Sequence, residues 1–270
     1  MELNWLQSIL YGFVAGITEL LPVSSQGHRN MILYMLGVDG RDPVCDLLTR
    51  LAVVVGIFVC FKKHILSLTL STPQRGRRIS PDRKAGYERK MLSAAVVPLI
   101  AGILLYSMLA KGQPSILWIA TAFLINGLIL FLTEHLRFGD KVARQMSGFD
   151  SILMGAAGGL SAVPGLSGVG GMMSAAVARG ADRRQCVSWA ILLLIPAMLC
   201  LAGVDFITIF TGGNASFGIL GCLLAAVSAF CGAYCGIKML LSLAVQIGFS
   251  GFAYYSWGAA LFTMILFLIT

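Results

Sequence analysis

Three residue types suited to phosphoryl chemistry crowd one short stretch, Glu19-Leu20-Leu21-Pro22-Val23-Ser24-Ser25-Gln26-Gly27-His28. A carboxylate, two hydroxyls and an imidazole this close together can move protons, supply a nucleophile, or do both. Leu-Leu-Pro ends a helix, because the residue before proline is pushed out of the helical region. Ser24 or Ser25 can cap a helix that starts again. The backbone N–H groups at that new N-terminus attract an anion. The expected arrangement is a phosphate cradle, with Ser24 and Gly27 at the tip, Ser25 and His28 as nucleophile or proton carrier, and Glu19 as partner. The competing reading is a capped tip with no chemistry.

A second stretch resembles the first. Gly155 to Gly170 shares with Gly12 to Gly27, allowing one gap, a Gly-x-x-x-Gly, a hydroxyl residue, a proline and a serine; its tip carries Pro164, Gly165 and Ser167. Further ionisable residues lie in apolar surroundings: Arg29, Asp46 and Arg50. Such groups are expensive inside a membrane and point to function by default. Asp46 and Arg50 are one helical turn apart and can pair. They are read either as a self-neutralising pair or as part of the site at the first tip. His64 and His135 sit at span ends and are read as interfacial.

Proline, glycine and serine breaks free backbone groups, which is tolerated at membrane depth only in a cavity or inside protein. The chain is an apolar one: 57% hydrophobic and 12% charged, with mean hydropathy +0.84. Soluble domains carry roughly 25% charged residues. A single membrane domain over 1–270 is expected. The start, with Glu2 and no basic cluster, does not read as a cleavable signal. Six stretches are long enough to span, near 44–62, 91–110, 116–134, 187–206, 217–236 and 252–269. Regions 6–37 and 151–180 read instead as paired half-length helices joined at a tip, that is, re-entrant hairpins. Hairpin plus three spans occurs twice, over about 1–135 and 150–270. Three is odd, so the second unit must enter from the opposite face, an inverted-topology repeat.

The net charge is +8. Its basic residues sit mostly in the loops 62–90 and 137–144, at 179–184 and at Lys238, while Arg41 and Lys111 are on the other side. By the positive-inside rule the first face is cytoplasmic and the first hairpin opens outward. The loop 71–86 reads as solvated, with an anionic-headgroup site as the alternative. Basic patches interleaved with aromatics are absent, so nucleic acid is not an expected partner. The seven cysteines are read as reduced packing residues, since Cys231 and Cys235 lack the further ligands a metal needs.

The Glu19–His28 stretch resembles the undecaprenyl-diphosphatase, or bacitracin-resistance, family, whose pattern is E-x-x-x-E-x-L-P-(V/I)-S-S-(T/S)-G-H. The similarity runs over nearly the whole chain. Val163-Pro164-Gly165-Leu166-Ser167 falls where that family has P-G-x-S-R-S-G, and Asp46 and Arg50 fall at a family Glu and Gln. Glu19, Ser25, His28 and Ser167 match. Ala15 replaces the first Glu, Gly168 the Arg and Val169 the next Ser. The resemblance implies six spans and two re-entrant hairpins in inverted repeats. It also implies an enzyme of the plasma membrane that dephosphorylates a polyprenyl diphosphate on the outer face. In the family the Arg grips phosphate, and the acidic pair positions a proton or a metal, so a divalent cation, Mg or Ca, is an expected cofactor with no ligands assigned. Arg50 is expected to stand in for the missing Arg, with Asp46, Gly165 and Ser167 near the phosphate. The alternative is a polyprenyl-phosphate carrier on the same scaffold. The partners expected are the lipid, the membrane and, as a candidate, a second copy of the chain.

Overall fold

The computed structural model describes residues 3–38, 40–70, 81–110, 112–136, 139–212, 217–246 and 248–269. Ten α-helices account for most of them: α1 Trp5–Leu20, α2 Ser25–Met35, α3 Pro43–Leu70, α4 Pro81–Leu109, α5 Ile116–His135, α6 Gly148–Gly158, α7 Gly168–Ala178, α8 Arg183–Phe210, α9 Ile219–Gln246 and α10 Gly248–Ile269. Among the described residues the one β feature is an isolated bridge between Lys141 and Ala181. Lys111, Arg137 and residues 71–80 of the basic loop lie outside the described residues.

Side-chain caps set several helix starts. Asn4 and Gln7 form a reciprocal capping box at α1, and Ser147 and Asp150 another at α6. Ser115, Ser167 and Asp182 cap α5, α7 and α8. Six helices are long and apolar enough to cross a membrane, namely α3, α4, α5, α8, α9 and α10. This is a multi-pass membrane protein. The six expected stretches overlap these helices, but most helices are longer. α3 runs on through Lys62, Lys63 and His64 because straight-chain and polar residues extend a helix past its apolar section.

The remaining four helices form two pairs broken at a tip. α2 and α7 have 11 residues each. At 1.5 Å per residue each covers about half of a hydrocarbon core. The two halves of the chain then exchange packing partners. α1 lies along α9, as α6 lies along α4; α3 meets α8, and α5 meets α10. Small residues make the close approaches. A Cβ on Gly12 or Gly16 would stand 2.0 or 2.1 Å from the carbonyl oxygens of Ala225 and Ala229, and one on Gly155 would stand 2.0 Å from that of Ala95. The Gly-x-x-x-Gly shared by the two segments is therefore a helix-packing face. α8 runs through the centre, with Trp189 fully buried, while Val97, Met108, Phe210 and Leu268 project outward as a lipid-facing surface should.

Candidate functional site

The first tip turns at Leu21-Pro22-Val23-Ser24. Ser24 is the N-cap of α2 and holds φ 65°, the one positive-φ residue other than glycine among the described residues. Its Oγ accepts the N–H of Gly27 at 3.3 Å and the N–H of Gly165, from the second tip, at 3.0 Å. Gly27 allows this contact, since a Cβ there would meet the Phe123 ring at 2.6 Å. Asn126 of α5 fastens both tips. Its Nδ2 donates to Pro22 O at 2.9 Å, and its Oδ1 accepts the Ser167 N–H at 2.9 Å. Gln26 Nε2 donates to Ser161 O at 2.7 Å. Ser25 Oγ donates to Ala15 O at 3.1 Å.

Between the tips lies a cavity of ≈ 10 Å³, bordered by Thr18, Glu19, Ser24, Ser25, Gln26, Ser161, Leu166, Ser167, Gly168 and Val169. That is room for about one water molecule. Beside it, an apolar groove of ≈ 330 Å³ runs between α1, α9 and α10, lined by Ile17, Thr18, Leu21, Val23, Met239, Leu243, Gly251, Phe252 and Tyr255. Thr18 borders both spaces.

A buried charge network backs the cavity. Glu19, on its border, is 3.4 Å from Arg29 Nη2, and Arg29 Nη1 is 2.9 Å from Asp46. Tyr11 donates to the same Asp46 oxygen at 2.8 Å, and Arg41 lies 3.6 Å from the other. Arg41 also donates to Gln26 Oε1 at 2.8 Å. Arg50 donates through Nε to Asp205 of α8 at 2.6 Å and stands 3.8 Å from Asp46. Arg29, Asp46 and Arg50 are almost wholly buried. Charges so placed persist only when paired and hydrogen-bonded.

His28 departs from expectation. Its Nδ1 lies 2.7 Å from Ser24 O. A carbonyl only accepts, so Nδ1 carries the proton and Nε2 is free to accept from Tyr255 Oη at 2.9 Å. The ring packs against Phe123 and stacks on Tyr255. Glu19 is not its partner; the shape of α2 turns the imidazole toward α10 and Arg29 toward Glu19.

A profile of the bacitracin resistance protein BacA family matches residues 8–262. The chain belongs to that family. It is 27% identical to a protein named undecaprenyl-diphosphatase from Carboxydothermus hydrogenoformans, over 94% of each chain. It is also 27% identical to one of the same name from Nocardioides sp., over 97% of this chain and 96% of that one. Undecaprenyl-diphosphatase 3 of Bacillus cereus is 23% identical over 98% of both.

Measured against the BacA pattern, the tips bring Glu19, Ser24, Ser25 and Ser167 to one cavity, with Gly27 and Gly165 at the contact between tips. They do not bring His28, Arg50 or Asp46 to its border. Arg50 is tied instead to Asp205, a lone acid in an apolar span that sequence reasoning could have marked by the same rule as Asp46. Gly168 cannot simply be restored to arginine, because a Cβ there would lie 1.7 Å from Ser161 Oγ. Also unforeseen were Tyr11, Gln26, Asn126 and Tyr255; polar residues inside apolar spans were the signal for Asn126, and Tyr255 had none. As for a divalent cation, no three His, Cys, Asp or Glu side chains among the described residues gather to hold one. Glu19 and Asp46, the nearest carboxylates, both lie on Arg29, so a metal would compete with a guanidinium. The described residues offer no ready set of protein ligands for that cofactor.

Proposed function

We propose that this protein hydrolyses a polyprenyl diphosphate, the class to which the undecaprenyl diphosphate of its relatives' names belongs, to the monophosphate and inorganic phosphate. The observation that carries the reading is the meeting of two capped helix N-termini, α2 and α7, at a serine-lined cavity beside an apolar groove. The paired N-termini suit phosphate. The groove suits the first isoprene units, with Thr18 at the junction.

In the reaction a water oxygen bonds to the terminal phosphorus, the bridging P–O bond breaks, and the monophosphate leaves with that bond's electrons. His28 Nε2, which faces Tyr255 on the groove side and not the closed cavity, accepts the water proton once the tips part and Tyr255 gives way. The Ser24 oxygen already accepts two N–H groups, so its own O–H is left for a phosphate oxygen; Ser25 supplies a second by releasing Ala15 O. The cavity holds about one water, so substrate entry requires the tips to part, breaking the Ser24–Gly165 and Gln26–Ser161 contacts.

In this reading α1–α2 and α6–α7 are re-entrant hairpins, the halves are inverted repeats, and the first tip faces outward from the plasma membrane. The exchange of packing partners and the basic loops support that placement. The test is phosphate release by the purified, detergent-solubilised protein given polyprenyl diphosphate, with and without a chelator. Release that survives chelation is expected. Lipid binding without release would replace hydrolysis by a carrier role.

A further inference from the structure

The family's phosphate-gripping arginine is absent at Gly168, and the space its Cβ would need is held by Ser161. A phosphate approaching the tips would meet the Glu19 carboxylate. Some cation must offset it. Neither Arg50 nor Arg29 lines the cavity, but Arg29 touches Glu19, which does, whereas Arg50 is held by Asp205 and Asp46.

We infer that Arg29 is the phosphate-gripping cation of this chain, the function having passed from the second tip to the first. Arg29 lies one helical turn after Ser25, so both sit on the same face of α2. Its side chain is 1% exposed, and its guanidinium is held tightly at one end and loosely at the other. Nη1 makes a short contact to Asp46, which Tyr11 holds in turn. Nη2 makes a contact to Glu19 at 3.4 Å, near the limit of a hydrogen bond. Nε has no hydrogen-bond partner among the described residues. A buried donor left unpaired is destabilising, and a guanidinium is built to bind phosphate through two parallel N–H groups. The loosely held edge of Arg29 is next to the carboxylate that borders the cavity. When the tips part, that edge passes from Glu19 to phosphate while Asp46 keeps the other end in place. Residues 29, 46 and 11 thus form one device: a fork, its anchor, and the anchor's support.

This inference rests on the phosphatase reading for its substrate, so binding and turnover are measured separately. Binding is read with methylenediphosphonate as competitor, and turnover as phosphate release. Arg29→Lys keeps a charge but loses the fork. It is expected to raise KM for polyprenyl diphosphate and to weaken methylenediphosphonate binding by about tenfold or more. The paired change Arg29→Gln with Asp46→Asn removes the cation without stranding its anchor, and kcat/KM should fall about 100-fold or more. Arg50→Gln with Asp205→Asn should leave KM unchanged. If Arg29→Lys binds and turns over within threefold of wild type, the inference is overturned and the phosphatase reading stands. If wild type releases no phosphate yet binds methylenediphosphonate through Arg29, the phosphatase reading fails and the inference stands.

Discussion

Ser24 offers a test of how the tip is held. Its oxygen is the shared acceptor for Gly27 N–H and Gly165 N–H, so Ser24→Ala removes an N-cap and one of the direct links between tips. Losing an N-cap costs about 1 kcal/mol. Leaving a buried N–H unpaired costs about 1–3 kcal/mol more. Ser24→Ala should therefore cost about 2–4 kcal/mol. Ser24→Gly loses the same bonds but relieves the strain of a Cβ at φ 65°, worth about 1–2 kcal/mol. Glycine's extra freedom in the unfolded chain takes back about 0.5–1 kcal/mol. The net expectation is that glycine is the milder change by roughly 0.5–1 kcal/mol. Unfolding in detergent, followed by circular dichroism against temperature or denaturing detergent, reads the ordering. A Ser24→Ala variant as stable as wild type, or more stable than Ser24→Gly, would refute the account of the tip.

Gly16→Ala places a Cβ 2.1 Å from Ala229 O, so α1 must move off α9; a loss of about 1–3 kcal/mol is expected in the same unfolding assay. Asp205→Asn strands the buried Arg50 and should cost about 3–5 kcal/mol, most of it recovered when Arg50→Gln is added. Asp150, outside the six spans, is held below the usual carboxylate range: burial pushes it up, but Ser147 N–H and the Arg179 guanidinium outweigh that. A depressed carboxyl stabilises fully above its unfolded pKa and loses that contribution as pH falls through the folded one. Unfolding midpoints of wild type and Asp150→Asn should thus converge on acidifying below about pH 4. For orientation, a cysteine at Arg41 should react with an impermeant thiol reagent added outside, and one at Arg144 should not, in a background lacking the exposed Cys231 and Cys235; the opposite pattern reverses the topology.

Much of the architecture was legible in the chain because a bilayer leaves few options. Every backbone group must be satisfied internally, so apolar runs of sufficient length become helices, and breaks at Pro22 and Pro164 become tips. The capping role of a serine before Gly27 was readable too, though the choice of Ser24 over Ser25 came from which oxygen could also reach Gly165. Three things depended on how helices distant in sequence meet. Gly12 and Gly16 proved to face α9, because close helix approach depends on what the partner presents, here Ala225 and Ala229. Asp46 and Arg50, neighbours on one helix, each found a stronger partner on another, Arg29 and Asp205, since a buried ion takes the best geometry in reach and local spacing is only one candidate. His28 and Glu19, close in sequence, were separated by the turn of α2, which sends the imidazole to Tyr255 and the next residue's guanidinium to the carboxylate. Local spacing determined which residues sit at the tips. The packing of α1, α5, α8, α9 and α10 around those tips decided which of them touch.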